Sequence, residues 1–145
     1  MVQACRHYLL NPTESHSDER RNALKVLILD DSRVMRQRLV AMLSHVPEVE
    51  VVGEAEDPLK GLRSIREIKP DAVILDVRNQ RRRGIDILRN IKKNSPAPVV
   101  LMLTNEFYPK QRRSVIQDKA DFFLDKFTEL DRLGSVFREL KGPVQ

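Results

Sequence analysis
The chain is poor in the residues that cross-link, anchor in lipid or read nucleic acid. It carries one cysteine, Cys5, among 145 residues, so no internal disulfide can form, and a reducing cytoplasm is the expected compartment. No apolar run approaches the ~20 residues that a membrane-spanning helix needs. The N-terminus lacks a basic start followed by an apolar segment and a small-residue cleavage site, so no signal peptide is expected. Aromatic residues make up 5% of the chain, and few are interleaved with the basic ones. Nothing after Leu140 reads as a helix-turn-helix or another DNA-reading module, so nucleic acid is not the expected partner. His7 and His16 lack the paired spacing of a metal site.

What is present suits one domain with a sizeable core, since 41% of the residues are hydrophobic. The 26 basic residues exceed the 21 acidic ones by five, a moderate surplus that favours anionic partners without naming one. Residues 1–23 are mixed and polar, broken at Asn11-Pro12 and Ser15-His16-Ser17-Asp18. They read as a flexible N-terminal extension with a short helical piece around Cys5 to Leu10. A domain is expected over residues 24–141, and a short tail over 142–145.

Within that domain, strand and helix signals alternate. Val26-Leu27-Ile28-Leu29 is continuous, branched and apolar, as a central parallel strand covered on both faces should be. It ends in Asp30-Asp31, and Ser32 can cap a helix in which Val34, Met35, Leu39, Met42, Leu43 and Val46 form an inward stripe. Val49 to Ala55 reads as a second strand. Asp57-Pro58 is an N-cap with proline at the first helical position, and Leu59, Leu62, Ile65 and Ile68 mark that helix's buried side. Ala72 to Asp76 is the third strand; after a basic loop, Gly84 is expected to open a helix carrying Ile87, Leu88 and Ile91. Val99 to Leu103 is the fourth strand, ending in Thr104, and a helix is expected from about Pro109 to Lys119. Asp121 to Asp125 is the fifth strand, with Lys126 just past it. Thr128 and Asp131 form a capping-box pattern before a last helix bearing Leu130, Leu133, Val136, Phe137 and Leu140.

Five such units in alternation imply an α/β fold, a doubly wound five-stranded parallel sheet with helices on both faces. In a sheet of that kind, ligands bind at the carboxyl ends of the strands. Strand one delivers Asp30 and Asp31 to that edge, strand three Asp76, strand four Thr104 and strand five Lys126. Clustered carboxylates repel unless a cation compensates them, and Mg²⁺ is the natural candidate because it prefers oxygen ligands. Asp30 or Asp31, Asp76 and a loop carbonyl would hold it. Asp76 is then the expected phosphoryl acceptor, with Lys126 and the Thr104 hydroxyl on the phosphoryl oxygens.

These pieces resemble the receiver domain of response regulators, the phosphoaccepting half of two-component signalling. The resemblance is carried by Val26-Leu27-Ile28-Leu29-Asp30-Asp31-Ser32, Ala72-Val73-Ile74-Leu75-Asp76 with Gly84 after the loop, Leu103-Thr104, and Phe122-Phe123-Leu124-Asp125-Lys126. It spans Lys25 to about Leu140. It implies a flavodoxin-like (βα)5 fold, Asp76 as phosphoacceptor, and a metal site of Asp30, Asp31, Asp76 and the backbone carbonyl of Arg78. It further implies Thr104 and Phe123 as the switch pair, and a sensor histidine kinase or phosphotransfer protein as donor. A stand-alone, chemotaxis-type receiver that signals through protein contacts is expected if the sequence is whole, and a receiver with its output elsewhere if it is part of a longer regulator; no enzymatic activity is expected beyond its own phosphorylation and slow dephosphorylation. The latter would be tuned by Arg78 and Glu106.

Four positions depart from the family pattern. Asn79 and Gln80 stand where an apolar residue and proline are usual, Phe127 stands where proline often follows the lysine, and Phe123 has no hydroxyl at the aromatic switch position. The basic residues Arg81, Arg82 and Arg83, with Lys110, Arg112 and Arg113, read first as a solvated face and second as a surface for an acidic partner. A receiver-shaped binding module that works without phosphate is the competing reading, and a hydrolase is weaker, because Arg78 stands where a second catalytic acid would be wanted.

Overall fold
The computed structural model describes residues 22–76, 81–104, 120–126 and 128–142, with 81–85 and 104 described by their backbone. Five strands form one parallel sheet: β1 (Leu24–Leu29), β2 (Val49–Ala55), β3 (Ala72–Asp76), β4 (Val99–Thr104) and β5 (Phe122–Asp125), in the order β2-β1-β3-β4-β5. The helices among the described residues are α1 (Arg33–Leu43), α2 (Pro58–Ile68), α3 (Arg81–Lys92) and α4 (Leu133–Lys141), the last preceded by a 3-10 turn at Leu130–Arg132. No helix among the described residues is long and apolar enough to cross a membrane. The expected helix near 109–119 and residues 1–21 of the N-terminal extension lie outside the described residues.

The period-two alternation of strand side chains sorts the core into two layers. Val26, Ile28, Ile74, Leu101 and Leu103 face one side, where Leu39 and Leu43 of α1 and Val136 and Phe137 of α4 cover them. Leu27, Leu29, Val73, Leu75, Val100 and Met102 face the other, covered by Ile65 of α2 and by Leu88 and Ile91 of α3. Strands buried on both faces must be apolar throughout, which is why β1, β3 and β4 read as unbroken runs. The strand order reverses direction between β1 and β3, and the crevice at such a switch point is where a doubly wound sheet binds its ligand.

Local signals set most boundaries. The Ser32 Oγ accepts from the Met35 N–H at 3.2 Å to start α1, and the Asp57 carboxylate accepts from the Leu59 N–H at 2.7 Å to start α2. Helix α2 ends at Lys69, in the left-handed region at φ 54°, just before Pro70. Four expectations are corrected. Val34, placed in the inward stripe of α1, is 76% exposed, and Leu59 and Ile68, placed on the buried side of α2, are 74% and 37% exposed. Helix α3 starts at Arg81 rather than Gly84, since arginine is a good helix former and the run of three extends the helix towards β3. The turn before α4 is not capped by a Thr128–Asp131 box: neither the 3-10 turn nor α4 has a side-chain cap. The acids that shape it are Asp125 and Glu129, as described below.

At Gly61, α2 lies close against β1. A Cβ there would sit 2.5 Å from Cδ1 and 2.9 Å from Cδ2 of Leu29, the residue immediately before Asp30. Alanine would gain about 1 kcal/mol of helix propensity, but overpacking in a filled core costs about 1–3 kcal/mol. Gly61→Ala is therefore expected to destabilise the fold by about 1 kcal/mol, read as a lower urea midpoint. A variant as stable as wild type would mean that Leu29 has room to move.

Candidate functional site
The carboxyl ends of β1 and β3 bring three acids together. Single carboxylate oxygens of Asp30, Asp31 and Asp76 all lie within 4.8 Å of one another. Asp31 is exposed and Asp30 is buried, 3% accessible. Three hydrogen bonds fix Asp30: its N–H donates to the Ala55 carbonyl at 3.0 Å, its Oδ1 accepts from the Ser32 N–H at 2.8 Å, and its carbonyl accepts from the Arg36 side chain at Nη1, 2.7 Å away. Arg36 Nε also pairs with Glu54 Oε1 at 3.4 Å, so one guanidinium ties the loop after β1 to the end of β2. Sequence reasoning did not single out Arg36 or Glu54; only the neighbouring of β1 and β2 brings them together.

Lys126 arrives from the far side. β5 pairs with β4, and β4 with β3, in parallel register, with Asp76 opposite Leu103 and Thr104 opposite Asp125. Just past β5, Lys126 reaches back over β4, and its Nζ forms an ion pair with Asp76 Oδ2. Both side chains are buried, Lys126 at 7% and Asp76 at 1% exposure. The backbone of Thr104 therefore lies between the strand that ends in Asp76 and the one that precedes Lys126. Phe123 is half-buried and packs with the layer beneath α2 and α3. Arg78, Asn79, Gln80, Glu106 and Phe127 lie outside the described residues.

The electrostatics of the cluster are unbalanced. With its three carboxylates ionised, one lysine leaves two net negative charges in a largely buried pocket. Burial pushes Asp30 up to about 7 from an ordinary 3.8; the Ser32 N–H opposes this, the charge and contact of Asp76 add to it, and Lys126 opposes it again. Asp30 Oδ2 is buried with no hydrogen-bond donor among the described residues. A buried acceptor of this kind, facing other carboxylate oxygens, suits a hard divalent cation, which would restore neutrality and take oxygen ligands. The donor set therefore fits Mg²⁺.

A sequence profile described as the response regulator receiver domain matches residues 26–138. The chain is 43% identical over 81 residues to a protein-glutamate methylesterase/protein-glutamine glutaminase of Hydrogenovibrio crunogenus, covering 56% of this chain and 22% of that protein. It is 33% identical over 138 residues to a protein of the same name from Pyrococcus horikoshii, covering 81% of this chain and 38% of that one. The chain thus spans well under half of these curated relatives. Among solved structures, the response regulator domain of Thermotoga maritima CheB superposes with a TM-score of 0.73 at 25% identity, covering 85% of this chain and 99% of that one. The signal receiver domain of the response regulator NarL from Mycobacterium tuberculosis gives a TM-score of 0.70, also at 25% identity, over 84% and 99%.

Proposed function
The chain belongs to the response regulator receiver family, and from that premise we propose that Asp76 is the residue that takes the phosphoryl group. Accepting phosphate in two-component signalling is what receiver domains do, and residues 24–141 are the span we assign to it, with 1–23 as an extension and 142–145 as a tail. The observation that carries the assignment is the pairing of a buried lysine with Asp76 beside two further acids at the mouth of the sheet. A lysine held there can neutralise charge that arrives on Asp76. The phosphate-independent binding module is not favoured, because burying this many charges serves no docking surface.

In the reaction, a carboxylate oxygen of Asp76 attacks the phosphorus of a phosphohistidine on a sensor kinase or phosphotransfer protein. The P–O bond forms as the P–N bond breaks, and the leaving imidazole nitrogen keeps the electron pair and takes up a proton. Lys126 balances the charge of the incoming group, and the Thr104 hydroxyl donates to another of its oxygens. Asp30, Asp31, Asp76 and the backbone carbonyl of Arg78 would hold Mg²⁺, which when bound supplies positive charge at the phosphoryl oxygens. Thr104 and Phe123 then report the modified state to a downstream protein. Phe123 does so by packing, since it has no hydroxyl. The donor and target are proteins of the cytoplasm in this reading. The chain matches the receiver part of the methylesterase relatives, and we assign it no chemistry beyond its own phosphorylation and slow hydrolysis of the acyl phosphate.

Incubation with Mg²⁺ and acetyl phosphate tests the assignment by intact mass. Wild type is expected to gain one acid-stable, base-labile phosphate adduct, and Asp76→Asn none. No adduct on wild type, or an equal yield on Asp76→Asn, would remove Asp76 from the role.

A further inference from the structure
Lys126 is a charge on a flexible four-carbon stem, and its aim at Asp76 depends on the backbone from which it springs. That backbone is a closed turn. The Glu129 N–H donates to the Asp125 carbonyl at 2.9 Å, and the Thr128 N–H donates to Asp125 Oδ1 at 3.1 Å. In the reverse direction, the Asp125 N–H donates to Glu129 Oε1 at 3.2 Å. Each acid therefore accepts from a backbone N–H near the other end of the turn, and Lys126 is the first residue inside the loop they close. The second oxygen of Glu129 accepts from Arg132 Nη1 at 2.7 Å, on a side chain 61% exposed.

We infer that Glu129 is a positioning residue for phosphoryl transfer, clasping the turn at Asp125 so that Lys126 is held against Asp76. Glu129 acts through that lysine, and the inference rests on Asp76 being the acceptor. The Asp125 N–H lies one peptide before the bond to Lys126 and the Asp125 carbonyl belongs to that bond, so the carboxylate and the backbone N–H of Glu129 together hold both peptides that flank Asp125. A misplaced charge at a reacting centre is expensive in rate, and a shift of about 1 Å can cost roughly 100-fold. Glutamine keeps the accepting oxygen and should keep the clasp.

The test is a double-mutant cycle on the rate of adduct formation with acetyl phosphate at saturating Mg²⁺. Glu129→Ala is expected to slow the reaction about tenfold or more, and Glu129→Gln to restore it to within about threefold of wild type. In a Lys126→Ala background, Glu129→Ala should change the rate by less than about twofold, because its only route to the site has gone. Arg132→Ala, which leaves the clasp in place, should react like wild type. The inference is overturned if Glu129→Ala reacts at the wild-type rate, if its loss persists undiminished without Lys126, if glutamine fails to rescue, or if Arg132→Ala is equally slow. Wild type that takes no label at all would overturn the acceptor assignment and this inference together. A labelled wild type with any of the earlier outcomes sinks the positioning role alone.

Discussion

Lys126→Ala is expected to slow adduct formation at Asp76 by roughly 100-fold without abolishing it, and to destabilise the metal-free fold by about 3 kcal/mol. The two effects have different origins. The nucleophile and the candidate metal ligands remain in the variant, so the reaction survives. What is lost is one positive group on the charge that develops at the phosphoryl oxygens. The stability effect comes from the ground state: Lys126 and Asp76 are both less than a tenth exposed, so solvent does little to screen their attraction. Removing one partner leaves the other buried beside two further carboxylates. The same arithmetic gives a third readout. Without the lysine the cluster carries three negative charges instead of two, so Mg²⁺ should bind the variant more tightly than wild type and return more stability to it. Urea midpoints with EDTA and with Mg²⁺, alongside adduct rates, measure all three. A metal-free midpoint equal to wild type would mean that the buried pair contributes nothing net. A Mg²⁺ affinity that falls would mean that Lys126 helps to build the site rather than opposing the ion.

Much of this site was legible before any coordinates, for a specific reason. Strands buried on both faces must be apolar from end to end, so the first polar residue after each run marks where the strand leaves the core. Asp30, Asp76 and Thr104 stand at such exits, Lys126 comes one residue after the exit at Asp125, and parallel topology sends every exit to the same edge. The cap of α2 was equally plain, because Asp57-Pro58 combines an accepting side chain with a preset backbone angle. Sequence reasoning erred where a local pattern had more than one reading. Thr128 and Asp131 have the spacing of a capping box, yet Asp125 and Glu129 take the backbone donors, since Asp125 is already fixed by its pairing to Thr104 in the sheet. Gly84 looked like a helix opener, but the three arginines before it are themselves helix formers. The Arg36–Glu54 contact left no trace, because the two residues are related only by the adjacency of β1 and β2.

The tie between Arg36, Asp30 and Glu54 also explains why the acids are not free to relax their repulsion. Asp30 is held by its own N–H, its carbonyl and its Oδ1, all bonded to groups fixed by β2 and the start of α1. Swinging away from Asp76 would break the Oδ1 bond to Ser32 and disturb the start of the helix. The fold therefore keeps carboxylates together at the expense of its own stability, a pattern expected where function needs the cluster.

That expense should appear in the pH dependence of metal-free stability. Asp30 titrates near 3.8 when unfolded and near 7 in the folded chain, because burial and Asp76 disfavour its charge. Below pH 3.8 it is protonated in both states and contributes nothing unfavourable. Between those two values the unfolded chain releases the proton while the folded chain keeps it. The folded state then binds more protons than the unfolded one, so stability falls as pH rises. The loss is complete above about 7 and amounts to roughly 4 kcal/mol for a shift of this size. Asp30→Asn keeps an oxygen to accept from the Ser32 N–H but has no charge to develop. In EDTA, its advantage over wild type should be small near pH 4 and grow to about 2–4 kcal/mol by pH 8, with urea midpoints of both proteins measured across the range. Subtracting one curve from the other removes the groups that titrate independently of Asp30. Mg²⁺ should close most of the gap at pH 8 by stabilising wild type more than the variant, since the variant has lost a ligand. Parallel curves from pH 4 to 8 would mean that Asp30 ionises as easily folded as unfolded, and a gap that Mg²⁺ leaves untouched would remove Asp30 from the metal site.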